Sequence, residues 1–408
     1  VDHLVRKPYR WIVVALLGVV ALLNYLDRQV IFSVLPLLAR DLHVPESQLG
    51  LVGGAFLWIY GIVSPLAGFL ADRFGRRKVI LLSLLIWSAV TYATGLARNF
   101  PEVLAARALM GISEACYLPA GLALIAAFHP GRTRSLATGL HLTGVYVGTI
   151  LGSAGGGWAG ERFGWRAPFA FLGAVGIIYA IVLFFALREP EAEPTESAPR
   201  TEKVALFASL RELIRLPGFV SMTIAFGGMS IANWLIYTWM PYYLYERFGL
   251  SLAAAGFQGA FYIQAASFAG ILLGGWMADR WSGVNPRGRI LTQVVGLTGA
   301  APFLFLAAST STQWILIGAL LAYGIGRGFY DCNAMPVLCQ FARPEQRSTG
   351  YGIFNLAGCV AGGTAAALAG FLKSAIGLDG AFRVAAVVVL ACGLLLARLR
   401  CTAAAERA

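Results

Sequence analysis

The chain has 408 residues, of which 58% are hydrophobic and only 13% charged, with 48 glycines. That leaves too little charged surface for a soluble protein of this size, and continuous apolar runs exclude a β-barrel, whose strands alternate. The formal charge of +12 invites a nucleic-acid reading, which the placement of the basic residues argues against below.

The first long apolar run, Trp11 to Leu35, exceeds the ~20 residues needed to cross a bilayer as a helix. Eleven more such runs follow, at about 49–71, 79–98, 101–128, 135–158, 167–187, 218–246, 253–278, 290–309, 313–341, 348–373 and 380–399. The fold class predicted is an all-α membrane protein with twelve transmembrane helices in two pseudo-symmetric six-helix bundles. Most connections are short. The exception, 188–217, contains EPEAEPTESAPRTEK and reads as a solvated linker between bundles at 1–187 and 218–408.

The halves repeat in sequence. Gly68-Phe-Leu-Ala-Asp72-Arg73 after span 2 matches Gly275-Trp-Met-Ala-Asp279-Arg280 after span 8. Glu114-Ala-Cys-Tyr-Leu-Pro119 in span 4 matches Asp331-Cys-Asn-Ala-Met-Pro336 in span 10, and Pro130…Arg134-Ser135…Gly139 matches Pro344…Arg347-Ser348…Gly352. Six-span repeats in this order belong to rocker-type carriers that hold substrate where the halves meet.

With the N-terminus placed in the cytoplasm, 22 of the 32 Lys and Arg fall on the cytoplasmic side, 7 outside and 3 within spans. This positive-inside bias predicts a bacterial inner-membrane protein with both termini cytoplasmic, and no nucleic-acid partner. Arg6, Lys7 and Arg10 resemble a signal-peptide start, but the apolar run after them is too long for a cleaved signal. Of the six cysteines, Cys116, Cys332, Cys339, Cys359 and Cys392 lie in spans, and Cys401 follows the last. No CxxC pair is present and the four histidines are scattered, so no disulfide, metal or cofactor is expected.

Span 1 carries Asn24, Tyr25, Asp27, Arg28 and Gln29 inside its apolar length. A charge there costs roughly 2.5–3.5 kcal/mol on insertion scales and needs an internal partner or a wet cavity. Span 4 reads Arg107-Ala-Leu-Met-Gly111-Ile-Ser-Glu114-Ala-Cys-Tyr117-Leu-Pro119, with Arg107 and Glu114 seven residues apart on one face. At ~1.5 Å per residue from the outer ends, Asp27 lies ~12 Å deep, Arg107 ~9 Å and Glu114 ~20 Å. That count pairs Asp27 with Arg107 and leaves Glu114 deeper. Arg28, ~100° around the helix from Asp27, is expected to hold substrate or a neighbouring span; a structural ion pair is the alternative for these charges. A carboxylate released from an arginine takes up a proton when an anion occupies that arginine. Asp27 and Glu114 are therefore proton-coupling candidates, with Arg28, Arg107, Tyr25 and Tyr117 on the substrate.

Span 10 adds Arg327, Tyr330, Asp331 and Asn333, with Arg327 and Asp331 at an i,i+4 spacing that also suits an intrahelical pair. Asn355 in span 11, and Asn233, Tyr237, Tyr262 and Gln264 in spans 7 and 8, offer further hydrogen bonds. Span 5 carries Gly144, Gly148 and Gly152 at four-residue spacing, with Gly155 to Gly157 beyond. His141 beside them reads as a packed histidine more readily than as a titrating one.

The loop after span 2, Gly68-Phe-Leu-Ala-Asp72-Arg73-Phe-Gly75-Arg76-Arg77-Lys78, resembles the signature of the major facilitator superfamily at every specified position. The resemblance implies a gating motif at Gly68, Asp72, Arg73, Gly75, Arg76, Arg77 and Lys78, with Asp279 and Arg280 as its second copy. It implies alternating access, and a glycine-rich span 5 lying against span 8, with Gly358, Gly362 and Gly363 as counterparts in span 11. Asn24-Tyr25-Leu26-Asp27-Arg28-Gln29 with Arg107, Glu114 and Pro119 resembles the anion:cation symporters that carry sugar acids with protons. The same elements, with Trp165-Arg166 before span 6, are similar to spinster-type carriers associated with lysolipids or sphingosine phosphate.

The expectation is a monomeric secondary transporter of a small organic anion and a proton in the lipid bilayer, with the lipid carrier as alternative. From another class, a non-transporting sensor or scaffold on the same fold is also considered. No nucleophile elbow, HExxH, P-loop or GxGxxG context is present, so neither an enzyme nor an ATP-driven pump is expected.

Overall fold

The computed structural model describes residues 2–129, 133–188, 206–216, 218–343 and 346–399, without the side chains of 2–7, 68, 69, 71, 72, 135, 206–210 and 348. The described residues form helices and no strand. In chain order they are α1 (Asp2–Ser33), α2 (Leu35–Asp41), α3 (Glu46–Leu49), α4 (Leu51–Phe74), α5 (Arg76–Thr94), α6 (Phe100–Ala115), α7 (Tyr117–Phe128) and α8 (Arg134–Phe163). Then come α9 (Arg166–Ala186), α10 (Leu206–Arg215), α11 (Phe219–Phe248), α12 (Leu252–Ser282), α13 (Gly288–Ser309), α14 (Gln313–Asp331), α15 (Ala334–Phe341) and α16 (Arg347–Ala397).

Ten stretches among the described residues are long and apolar enough to cross a membrane. The two remaining predicted spans have plain physical explanations. The α16 helix carries two spans joined at Gly377, whose φ of 70° is a left-handed turn that a side chain resists. The α8 helix is 30 residues long, ~45 Å at helical rise, but its glycines dilute its apolar character. Exposed Leu136, Leu140, Val147 and Leu151 line one side of it.

Spans 4 and 10 are each broken, between α6 and α7 at Cys116 and between α14 and α15 at Cys332-Asn333. A helical proline lacks an N–H and crowds the carbonyl four residues back. Pro119 and Pro336 act on Ala115 and Cys332 in this way, so the repeat read in the sequence is a repeated helix break. The predicted linker contains a helix, α10, where the sequence suggests only solvated chain; its 189–205 portion lies outside the described residues.

Two compact units account for the chain, Val1–Glu193 with Tyr237–Ala260, and Pro194–Ile236 with Phe261–Ala408. In the first, Gly144, Gly148, Gly152 and Gly156 press α8 onto α1. A Cβ on Gly144 or Gly148 would collide with the Gly18 or Leu22 carbonyl, and one on Gly152 would sit 2.7 Å from the Leu26 carbonyl. The stripe therefore packs against span 1, while the far end of the same helix also meets span 8, where Gly256 lies against the Ser153 carbonyl and the Leu252 N–H donates to Glu161. Contact with the start of α12 is made by Gly157, ~100° around the helix, against Leu252. The second unit repeats the arrangement: Gly358 and Gly362 of α16 press on Phe226, Ser230 and Trp234 of α11.

One end of the first unit is tied by the Trp165-Arg166 pair. Trp165 Nε1 and Arg166 Nη1 donate to Asp41 Oδ2 at 3.0 and 2.5 Å, and Arg166 Nε and Nη2 donate to the Ala97 carbonyl at 3.2 and 3.0 Å. These bonds, Trp165 first, hold the Asp41 carboxyl below the usual range. They also fix the end of α2 and the loop after α5 at one level.

Candidate functional site

That shared level gives the depth scale. Asn99 caps α6, its side chain accepting from Glu102 N at 3.0 Å while Glu102 accepts in return from Asn99 Nδ2 and Arg98 N. From there Glu114 is 15 residues in, ~22 Å, and Arg107 only ~12 Å. Asp27 and Arg28 are 14 and 13 residues from Asp41, ~20 Å. The first span runs on beyond Leu35 through α2, so the sequence count placed Asp27 too near the outer end. Asp27 and Arg28 lie level with Glu114, and Arg107 lies above them.

The pairing follows from this. Arg28 Nη2 and Nε both reach Glu114 Oε2, at 2.7 and 3.1 Å, in a fully buried ion pair. Arg28 Nη2 also donates to Asn24 Oδ1 at 3.4 Å. Its guanidinium carbon sits 4.6, 4.7 and 5.0 Å from the ring centroids of Tyr25, Phe56 and Tyr60. Arg28 thus neighbours a span, one of its two expected roles, and the partner is a carboxylate.

The expected Asp27–Arg107 pair is absent from the described contacts. Asp27 points ~100° away from Arg28, toward α5, where Thr91 Oγ1 donates to its Oδ2 at 3.3 Å. The Trp87 indole lies close by. Arg107 turns toward α4 and donates from Nε to the Val52 carbonyl at 3.2 Å and from Nη1 to Met110 Sδ at 3.1 Å. Its guanidinium carbon is 4.7 Å from the Phe56 centroid and 5.6 Å from that of Phe32. Asn24, Asp27, Arg28, Arg107 and Glu114 are all under 5% exposed.

Four buried polar atoms in this cluster lack a close hydrogen bond, Asn24 Nδ2, Asp27 Oδ1, Arg107 Nη2 and Glu114 Oε1, although Asn24 stands near the Glu114 carboxyl and Trp87 near Asp27. They comprise two donors and two acceptors. One ion pair is closed, and beside it stand a carboxylate without a cation and a guanidinium without a carboxylate. Such groups without an ion-pair partner are costly in a membrane interior.

The α4 helix is what sequence reasoning missed. Val52, Phe56 and Tyr60 recur every four residues on one face, binding Arg107, both arginines and Arg28 respectively. The signal was available in part, since Gly111 lies midway between Arg107 and Glu114. A Cβ there would come 2.7 Å from the Phe56 carbonyl, so this glycine lets α4 reach the site.

The other predicted residues lie elsewhere. Tyr117 is buried with its hydroxyl on the Leu17 carbonyl at 2.7 Å, edge-on to Trp87 and beside the buried His141. Leu17 is ten residues from Asp27 along α1, ~15 Å, so the Tyr117 hydroxyl is turned away from the ion pair while its ring adjoins the cluster through Trp87. In the second unit Arg327 Nε pairs with Asp331 Oδ2 at 3.1 Å. Asn333 Nδ2 donates to the Phe329 carbonyl at 3.0 Å, and Asn355 takes a weak Cys359 thiol contact at 4.0 Å.

Of the gating motif, the Asp72 side chain lies outside the described part of the structure. Gly75 takes φ 90° between α4 and α5. Arg77 donates to the Leu187 and Phe184 carbonyls, each at 2.5 Å, capping α9, and Arg76 donates to the Ala123 carbonyl at 3.3 Å. Arg73 and Lys78 are exposed. In the second copy Asp279 pairs with Arg289 at 3.3 Å, Arg280 lies over Trp276, and Arg287 caps α16 at the Ala397 carbonyl at 2.6 Å.

Ten helices among the described residues that are long and apolar enough to cross a membrane, helix breaks at matching positions and a buried charge cluster fit a membrane transporter. The profile of the Major Facilitator Superfamily matches residues 17–366 and again 294–407, and the chain belongs to that family. Among its relatives is a probable galactarate/D-glucarate transporter of Bacillus subtilis, 26% identical over 402 residues, covering 91% of this chain and 87% of the relative. Another is the human protein spinster homolog 1, 27% identical over 370 residues, covering 83% and 68%. A solved bacterial homolog of the human lysosomal transporter Spinster, in an inward-facing and unoccupied conformation, has the same fold. It superposes with TM-score 0.80 at 23% identity, over 96% of this chain and 95% of that one.

Proposed function

We propose that this protein is a secondary transporter that carries a small organic anion, of the sugar-acid class, together with a proton. It works as a monomer in a bacterial inner membrane with both termini cytoplasmic, by alternating access of six-helix halves at 1–187 and 218–408. The gating motif around Asp72 and its copy at Asp279-Arg280 shape the cytoplasmic gate. One observation carries this reading: Asp27 and Arg107 stand without a direct ion-pair partner beside the closed Arg28–Glu114 pair. A substrate carboxylate that competes with Glu114 for Arg28 releases a buried carboxylate that binds a proton, and one that satisfies Arg107 cancels the positive charge near Asp27, which then binds a proton. Arg327, Asp331, Asn333 and Asn355 contribute polar contacts from the second half. The names of the galactarate/D-glucarate relatives support the substrate class.

The test is uptake into proteoliposomes of galactarate, glucarate and small monocarboxylates, with and without an inward proton gradient. The gradient is expected to accelerate uptake of at least one sugar acid, and indifference of all of them to it overturns the symport. A second reading, transport of a lysolipid, is favoured by one feature. An open apolar groove of about 470 Å³ runs along the exposed side of the packed α1 and α8, lined by Trp11, Val14, Gly18, Leu22, Leu140 and Val147 among others. Lysophospholipid in the same assay decides between the two.

A further inference from the structure

Arg28 and Arg107 carry like charges at one buried site, and a single side chain touches both. Each guanidinium carbon lies 4.7 Å from the centroid of the Phe56 ring. Phe56 is itself fully buried and stacked on Tyr60, with ring centroids 5.6 Å apart. An aromatic face attracts a cation most strongly where water is excluded, so one ring holds two cations that otherwise repel.

The surroundings fix that ring. Gly111 brings the α4 backbone against α6 at Phe56 itself, and the Val52 carbonyl one turn earlier anchors Arg107 through Nε. Arg107 lies within electrostatic reach of Asp27 and Glu114 yet pairs with neither, and its Nη2 has no partner. A flexible arginine beside two buried carboxylates closes on one of them unless something holds it elsewhere. Val52, Met110 and the Phe56 face supply that hold.

We propose that Phe56 is the positioning residue of this site: its ring holds the Arg107 guanidinium apart from Arg28 and from the protein's own carboxylates, so that Arg107 remains open to a substrate carboxylate. The functional half of this inference rests on the organic-anion reading above; the positioning half does not.

The test has one arm without substrate and one with it. In the first, thermal unfolding of the purified protein is measured for wild type, Phe56→Leu, Arg107→Gln and the double variant. Loss of the ring is expected to matter less once Arg107 is gone, so the double variant melts a few degrees above the additive value. Strict additivity makes Phe56 a packing residue and overturns the inference. Phe56→Met, with its flexible side chain, replaces Phe56→Leu if the latter is not recovered.

In the second arm, Phe56→Leu is expected to raise the KM for the transported anion about tenfold with Vmax retained, the scale of one desolvated cation–π contact. Phe56→Tyr, which keeps the π face, is expected to restore the wild-type KM. An unchanged KM, or a loss confined to Vmax, overturns the substrate-positioning role. If wild type itself carries no organic anion, the functional reading fails, and the unfolding cycle still decides whether Phe56 holds Arg107.

Discussion

The two helix breaks carry the same design and different chemistry. Each follows a carboxylate and precedes a proline, Glu114 with Pro119 and Asp331 with Pro336. Glu114 finds its arginine on another helix, in a pair whose side chains are 5% and 0% exposed. Asp331 finds Arg327 four residues back on its own helix, and those side chains are 11% and 33% exposed. An i,i+4 pair forms wherever a helix forms. An interhelical buried pair forms only when α1, α4 and α6 are assembled, and it sits beside groups left without partners. The difference teaches that repetition preserved the backbone device while the costly, uncompensated charges were concentrated in the first unit.

Breaking the comparison at the carboxylates has the largest expected effect. Asp27→Asn removes the acid that lacks a cation and is expected to abolish acceleration of uptake by an inward proton gradient. Asp331→Asn is expected to leave that acceleration in place, with at most a change in KM. Paired proteoliposome assays measure both, and equal gradient dependence in the two variants would refute the assignment of proton coupling to the first unit.

Stability separates the arginines in the same way. Arg28→Gln leaves Glu114 buried without its ion pair, at a cost of about 3–5 kcal/mol. Arg327→Gln breaks a partly exposed local pair, for about 1 kcal/mol or less. Melting curves of the two purified proteins should therefore differ by a few degrees.

A smaller effect tests the framework that sets the depths. Gly148→Val drives a side chain into the Leu22 carbonyl and is expected to cost about 1–3 kcal/mol through separation of α8 from α1. Gly155→Ala, on the same helix with nothing within 4 Å of a Cβ, is the matched control and is expected to be neutral or slightly stabilising.

The spans, the repeat and the identity of the charged residues were legible because apolar length and charge in a bilayer are properties of single residues. Partner choice was not. It depended on where α1 truly ends, and its continuation through α2 moved Asp27 and Arg28 by about two turns to the level of Glu114. Phe56 was invisible for a related reason: an aromatic residue in an apolar span gives no signal until two arginines are seen against it. The stripe at Gly144, Gly148 and Gly152 announced close packing but not its partner, since four-residue glycine spacing fits any helix that offers a smooth backbone.

The smallest effect concerns the tie that fixes the depth scale. Asp41 is bound by Trp165 and Arg166, and its folded carboxyl lies below the usual range. A depressed carboxyl contributes stability above its unfolded value, about 3.9, and loses that contribution as pH falls through the lower folded value. Both partners of the pair are more than a third exposed, at 40% and 47%, so solvent screening limits the contribution to about 1 kcal/mol or less. Asp41→Asn is accordingly expected to melt slightly below wild type between pH 6 and 7, with the gap closing as the pH drops toward and below the folded value. A gap that persists undiminished at the acid end would show that Trp165 and Arg166 hold this corner by packing and by the Ala97 carbonyl, without the Asp41 charge. Because the tie joins α2 to the loop before α6, about 20 Å along α1 and α2 from Asp27, neither result is expected to alter the gradient dependence proposed for Asp27.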